Sequence, residues 1–253
     1  MDATNQDSEI ITSDLGKLSY WEDAYLKEIE NYSDHGDTGE VWFGENVQMK
    51  VIHYITDRYS SNKEINILDV GTGNGALLFA LAEEGFTNLN GSDFSPTSIA
   101  FCQKQQQEFI ERNEDNSDNY TNIHFFINDF IHENIVDIHS EKQFDIVHDK
   151  GTFDAILLHP DYQIHPDLYY YQLLKCLAPN GIFIITSCNN TEAELIKYFV
   201  RDKPKINQEL IEERDNQNIG HLIFSGRIPH RQLSFGGSEG STVTTIIFKK
   251  ETN

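Results

Sequence analysis

Basic residues are scarce in this sequence. Nineteen lysines and arginines stand against 41 aspartates and glutamates in 253 residues, a formal net charge of −22. A surface of that sign repels phosphate backbones and anionic lipid heads, so nucleic acid and membrane are excluded as partners. A basic protein is the class of partner it attracts. Cysteine is scarcer still: Cys102, Cys176 and Cys188 are odd in number and far apart. They read as reduced thiols of a cytoplasmic protein, not as a disulfide framework or a zinc site. No apolar run approaches the roughly 20 residues of a membrane span. The opening MDATNQDSEI has neither the basic n-region nor the apolar stretch of a secretory signal. The ten histidines show no H-x-x-x-H or H-x-H spacing, so no metal is expected.

What is present has a clear order. Residues 1–14 are polar and acidic and read as a disordered tail. Ser19 and Glu22 have the spacing of a capping box for a helix over SYWEDAYLKEIENY, with Trp21, Ala24, Tyr25 and Ile29 on one face. SDHGDTGE reads as a tight loop, then VWFG, then a second helix in ENVQMKVIHYITDRY with Val47, Val51, Ile52 and Ile55 inward. From residue 65, strand signals at 65–70, up to Asp93, at 122–129, 144–149 and 181–188 alternate with helical stretches at 75–84, 96–112 and 167–177. Tandem β-α units bury both faces of a sheet and make it parallel. TVTTIIFKK at 242–250 adds a late strand, expected as an antiparallel hairpin on the sheet edge. Residues 103–120 start as helix and become a polar loop, and 201–232 reads as a helix plus a surface excursion. With no repeat and no clean linker, 15–253 is expected to be one domain, a helical cap at 15–60 on an α/β core at 65–250.

INILDVGTGNGALLFALAEEG, at 65–85, brings a strand into three glycines and then a helix. Such a turn aims backbone N–H groups and the positive helix end at a ligand. As G-x-G-x-x-A, Gly71 to Ala76 fits the dinucleotide fingerprint of an NAD(P)-dependent oxidoreductase, with Asp93 on the ribose. As D-x-G-x-G-x-G it fits an S-adenosylmethionine loop closed by Asp69. Asp69 lies where a pyrophosphate would pass, and its charge suits a sulfonium and an ammonium better. Asn128-Asp129-Phe130 ends the third strand with an acid and an aromatic, fit to accept from an adenine amino group and to cover the ring. The chain also leaves no separate substrate domain for hydride chemistry. Both readings stay open on the residues alone.

The set Asp69, Gly71, Gly73, Gly75, Asp93 and Asp129 resembles the seven-stranded class I methyltransferases. The resemblance implies a Rossmann-like α/β fold with helices on both faces of a mostly parallel sheet. Its strand order is 3-2-1-4-5-7-6, with strand 7 antiparallel. It also implies roles: Gly71 and Gly73 beside the methionine part of S-adenosylmethionine, Asp93 on the ribose, Asp129 near adenine N6, and Phe94 and Phe130 flanking the purine.

FDIVHDKGTFDAI, at 144–156, places Asp149 and Lys150 at the carboxyl end of the fourth strand, where open α/β sheets bind ligands. Asn/Asp-Pro-Pro-Tyr, common in methyltransferases of adenine or glutamine amides, is not there. DKGTFDAI instead resembles the signature of protein-lysine methyltransferases acting on translation elongation factor 1-alpha. YWEDAYLKEIENYSDHGDTGEVWFGE, FSPTSI, ITSCNNTEAEL and LSFGG are similar to the same family, so the likeness runs from Leu15 to Lys249. The segments at 103–120 and 201–232 depart from it. The implied enzyme is a monomeric protein-lysine N-methyltransferase that releases S-adenosylhomocysteine; a small-molecule methyltransferase is the alternative. Trp42 and Phe43 are candidate walls of a lysine channel, with Tyr169, Tyr170 or Tyr171 added. Asp149 is the candidate for holding either the amine or the cofactor's amino group.

Overall fold

Strands rich in Ile, Val and Phe, β2 excepted, build the sheet around which the chain is arranged. They are β1 (Asn66–Val70), β2 (Asn88–Asp93), β3 (Ile123–Ile127), β4 (Phe144–Lys150), β5 (Leu177–Ser187) and β6 (His221–Ile228). A small pair, β7 (Leu233–Phe235) and β8 (Ser238–Gly240), precedes the last strand, β9 (Thr244–Glu251). The computed structural model describes residues 13–112, 117–135, 143–160, 163–201, 219–231, 233–235, 238–240 and 242–252. The tail expected at 1–14 therefore lies almost wholly outside the described residues, as does 202–218.

The large sheet has the order β3-β2-β1-β4-β5-β9-β6. Strands β1 to β5 pair in parallel, and β9 runs antiparallel to both β5 and β6. This is the seven-stranded class I arrangement that the resemblance implied. The late strand β9 pairs antiparallel with β6 at the edge of the sheet, as expected, and lies between β5 and β6. The edge is β6, which comes from the stretch read as helix and surface excursion.

Eight helices accompany the strands among the described residues: α1 (Leu18–His35), α2 (Glu45–Arg58), α3 (Ala76–Glu83), α4 (Pro96–Arg112), α5 (Ser117–Thr121), α6 (Thr152–Leu157), α7 (His165–Cys176) and α8 (Glu192–Phe199). Side chains alternate across a strand, and that alternation makes two cores. Ile67, Ile146, Ile182 and Ile184 meet α2, α3 and α4 on one face. Leu68, Val70, Val147, Phe183 and Ile185 meet α6, α7 and α8 on the other. Both faces are covered, as a parallel sheet requires. Tyr169 and Tyr170 belong to this packing; they and Tyr171 are buried, and none of the three reaches a cleft wall. Among the described residues, no helix is long and apolar enough to cross a membrane.

Helix α1 begins at Leu18 with no side-chain cap, so Ser19 and Glu22 do not form the expected box. Glu22 reaches across to the start of α4, where it accepts from the Ser95 hydroxyl and from the Thr97 hydroxyl at 2.6 Å. A carboxylate at a helix N-terminus is favourable in either place. Here the tertiary contact takes it and fastens α1 over the carboxyl ends of β1 and β2.

Candidate active site

The three glycines after β1 all run at positive φ: 65° at Gly71, 59° at Gly73 and 75° at Gly75. At Gly71 a Cβ would overlap the Thr152 hydroxyl, which donates to the Val70 carbonyl at 2.8 Å. The backbone thus passes bare beside α6. Gly75 faces inward instead, against Phe79 and Phe125. The loop is tied from several sides. Gly73 N–H donates to Asp93 Oδ2 at 3.0 Å, and Thr72 N–H to the Ser92 carbonyl at 2.9 Å. The Ser98 hydroxyl donates to the Gly73 carbonyl at 2.6 Å, and the Asn74 amide donates to the Thr38 and Glu40 carbonyls at 3.1 and 3.2 Å.

Two cavities open above this loop and share the walls Leu15, Gly71, Asp93, Thr152 and Ala155. The empty space they enclose, open mouths included, is about 920 and 900 Å³. The second cavity is lined by Phe94, Asn128, Asp129 and Phe130, and also by His132, His159 and His165. Asp93 faces both cavities. It also accepts Ser95 N–H at 2.9 Å, and burial pushes its pKa up to about 6.

Three acids stand differently from their sequence reading. Asp69 lines neither cavity. Its carboxylate is buried between the Thr72 hydroxyl at 2.9 Å and His148 Nδ1 at 2.6 Å, so it braces the loop from behind. Asp129 turns its carboxylate to its own turn, accepting Ile131 N–H at 3.1 Å and lying 2.8 Å from His132 Nδ1. Its neighbour Asn128 is 2% exposed, and its Oδ1 has no hydrogen-bond partner. That makes Asn128 the better-placed acceptor for a purine amino group, a residue the sequence reading quoted but did not choose. Asp149 is 0% exposed and absent from both walls. It accepts Thr152 N–H at 3.0 Å, Phe153 N–H at 3.0 Å and the Tyr169 hydroxyl at 2.7 Å. It anchors α6 from below and cannot hold an amine in the cleft from that position.

The first cavity is walled by Trp21, Tyr25, Trp42 and Phe43. Trp21 packs on Trp42 with ring centroids 5.1 Å apart and donates its indole N–H to the Leu15 carbonyl at 2.8 Å. Phe43 holds φ at 65°, in the left-handed region that a phenylalanine seldom adopts. Lys150, expected beside the ligand, lines this cavity, as do Asp154 and Glu28, to which the sequence reading gave no role. Among the described residues Lys150 is the one basic side chain on either wall apart from the histidines. Burial pushes its pKa down, while the charges of Asp69 and Asp149 oppose that shift. Asp154 is taken up by Ser187 Oγ at 2.5 Å and Cys188 N–H at 2.8 Å.

These residues fit S-adenosylmethionine. There is a cradle that any Cβ at Gly71 would fill, an aromatic slot with a buried free acceptor, and an aromatic channel on the far side of Asp93. They do not suit a pyrophosphate, because the Gly73 amide that would bind it already belongs to Asp93.

Comparison with known proteins agrees with this geometry. Residues 61–237 match the family model described as a methyltransferase domain. EEF1A lysine methyltransferase 2 of Danio rerio is 36% identical over 239 residues, covering 94% of this chain and 88% of that protein. The Homo sapiens protein of the same name is 34% identical over 241 residues, covering 95% and 88%. Protein-lysine N-methyltransferase efm4 of Schizosaccharomyces pombe is 34% identical over 253 residues, covering 94% of each. Among solved structures, magnesium protoporphyrin IX methyltransferase of Synechocystis with bound SAM superposes with a TM-score of 0.53 at 16% identity, covering 99% of this chain and 100% of that one. The N-methyltransferase NodS of Bradyrhizobium japonicum, in complex with S-adenosyl-l-homocysteine, gives 0.53 at 14% identity, covering 90% and 98%. At such identities these two speak for the fold.

Proposed function

The chain belongs to the methyltransferase family that includes EEF1A lysine methyltransferase 2 and efm4, and from that premise we propose that it methylates a lysine of translation elongation factor 1-alpha. The observation that carries the reading is a pair of cavities with a common Gly71–Asp93 wall. S-adenosylmethionine, when bound, supplies a methyl group on a cationic sulfur.

The chain's own residues do the rest. Asp93 accepts from the ribose hydroxyls, Phe94 and Phe130 wall the purine, and Asn128 and Asp129 face its edge. Gly71 and Gly73 offer bare backbone to the methionine part, with Asp69 stiffening the loop beneath them. Trp42 and Phe43 form the mouth for the substrate side chain. A free lysine has a pKa near 10.4 and must lose a proton to become nucleophilic. An aromatic, dehydrating wall lowers that value, and so does a neighbouring positive charge. Lys150 contributes the second effect from the same wall. Asp154 and Asp149 are both engaged elsewhere, and positioning supplies most of the rate. The enzyme acts in the cytoplasm as a single domain and as a monomer.

The test is direct. Purified protein, labelled S-adenosylmethionine and recombinant elongation factor 1-alpha are incubated, and the labelled residue is located by mass spectrometry. Label on a lysine is expected. Label on no protein, with cofactor binding demonstrated in the same preparation, overturns the reading.

A further inference from the structure

Helix α1 sets Trp21, Tyr25 and Glu28 one turn apart on the face turned to the glycine loop. Glu28 lines the first cavity with Tyr25, Gly73 and Asn74. Its Oε1 accepts Glu40 N–H at 3.4 Å, while its Oε2 is buried with no hydrogen-bond partner. Gly39, at φ 89°, makes the room: a Cβ there would run into that oxygen. An unsatisfied buried acceptor costs roughly 1–3 kcal/mol, and more when charged. The groups facing Glu28 deepen the deficit. Glu40 and Asp37 add negative charge to its desolvation, and its pKa is pushed up to about 7. Tyr25 from its own helix and Asn74 from the loop are neutral. What the place lacks is a cation with protons to donate.

We propose that Glu28 receives the α-ammonium of the cofactor's amino-acid end. The inference rests on the S-adenosylmethionine reading of the cleft. With the purine in the second cavity and the ribose at Asp93, the amino-acid end extends into the first cavity over Gly73 and Asn74, and Glu28 stands beside both. The substrate amine enters along other elements, past Trp42 and Phe43 and beside Lys150, whose charge opposes a second ammonium. Glu28 is thus a binding residue, remote from the reacting atoms. It distinguishes a nucleoside carrying an amino acid from one that has lost it.

Calorimetric titration with two probes tests this. S-adenosylhomocysteine carries the ammonium; 5′-methylthioadenosine has the same nucleoside and thioether without it. Glu28→Gln keeps the acceptor for Glu40 N–H and removes the charge. It should weaken S-adenosylhomocysteine binding by about tenfold or more, the size of a hydrogen bond to a charged group. Binding of 5′-methylthioadenosine should stay within about twofold. Unchanged S-adenosylhomocysteine affinity overturns the proposal, as does equal weakening of both probes, which marks a purely structural carboxylate. A raised KM for the protein substrate with unchanged S-adenosylhomocysteine binding also overturns it and assigns Glu28 to the substrate. If the unaltered protein binds neither probe, the cofactor reading itself fails.

Discussion

The carboxylate of Asp93 and the backbone amide of Gly73 are joined at 3.0 Å, so the acid facing both cavities also fixes the loop between them. Removing it strikes twice. Asp93→Ala should weaken S-adenosylhomocysteine binding by about 100-fold, from the lost ribose acceptor and the released loop, each worth roughly 1–3 kcal/mol. Titration calorimetry reads this, and a loss under threefold would detach Asp93 from the ligand. Because its pKa lies at about 6 and ribose donors need the ionised form, affinity should fall as pH drops through 6.

Gly71→Ala tests the cradle. The alanine meets both the positive φ, worth roughly 1–2 kcal/mol against an L-residue, and the Thr152 hydroxyl. Urea denaturation should show a loss of at least 1 to 2 kcal/mol, and cofactor binding should fall with it. A variant as stable as the parent would mean that α6 gives way without penalty.

Phe43 separates activity from stability. Both Phe43→Ala and Phe43→Gly remove the ring that lies on Gly151 at the cleft mouth. Both should lower kcat/KM on the protein substrate at least about tenfold, the equivalent of roughly 1.4 kcal/mol. Only the glycine relieves the left-handed backbone, so it should be the more stable of the two by about 1 kcal/mol. Equal melting temperatures would remove the strain argument.

Asp149 gives the fold a pH dependence of unusual sign. Burial raises its pKa from 3.8 to about 8 in the native state. A raised native value means that folding favours the protonated form. The stability it adds is full below about pH 4 and is lost as pH climbs through 8. The melting temperature should therefore fall between about pH 4 and 8, and Asp149→Asn should flatten that decline. Asp93 and Glu28 are shifted the same way, so some slope will persist. A variant that tracks the parent at every pH would show that Asp149 is ionised throughout.

The glycine loop, Asp93 and the placing of Phe94 and Phe130 beside a cavity were legible in the sequence because each depends on a local pattern: a strand, a turn that only glycine makes, an acid at a strand end. Glu22 was misread because two helix starts compete for one carboxylate, and only the tertiary structure decides. Strand β6 was missed because an edge strand keeps polar residues and here carries a bulge between Phe224 and Gly226, which blurs the period of two. Asp149 was misassigned by one alternation: on β4 the carboxylate turns to the face that holds Tyr169. Glu28 and Asn128 carry no motif. What marks them is an oxygen without a donor, visible only once the chain has folded.

Leu15 belongs to the short turn just ahead of α1, and it contributes to both cavities at once. One side chain of that turn is thus common to the two halves of the site. Any substitution at Leu15 therefore reshapes both cavities in one stroke.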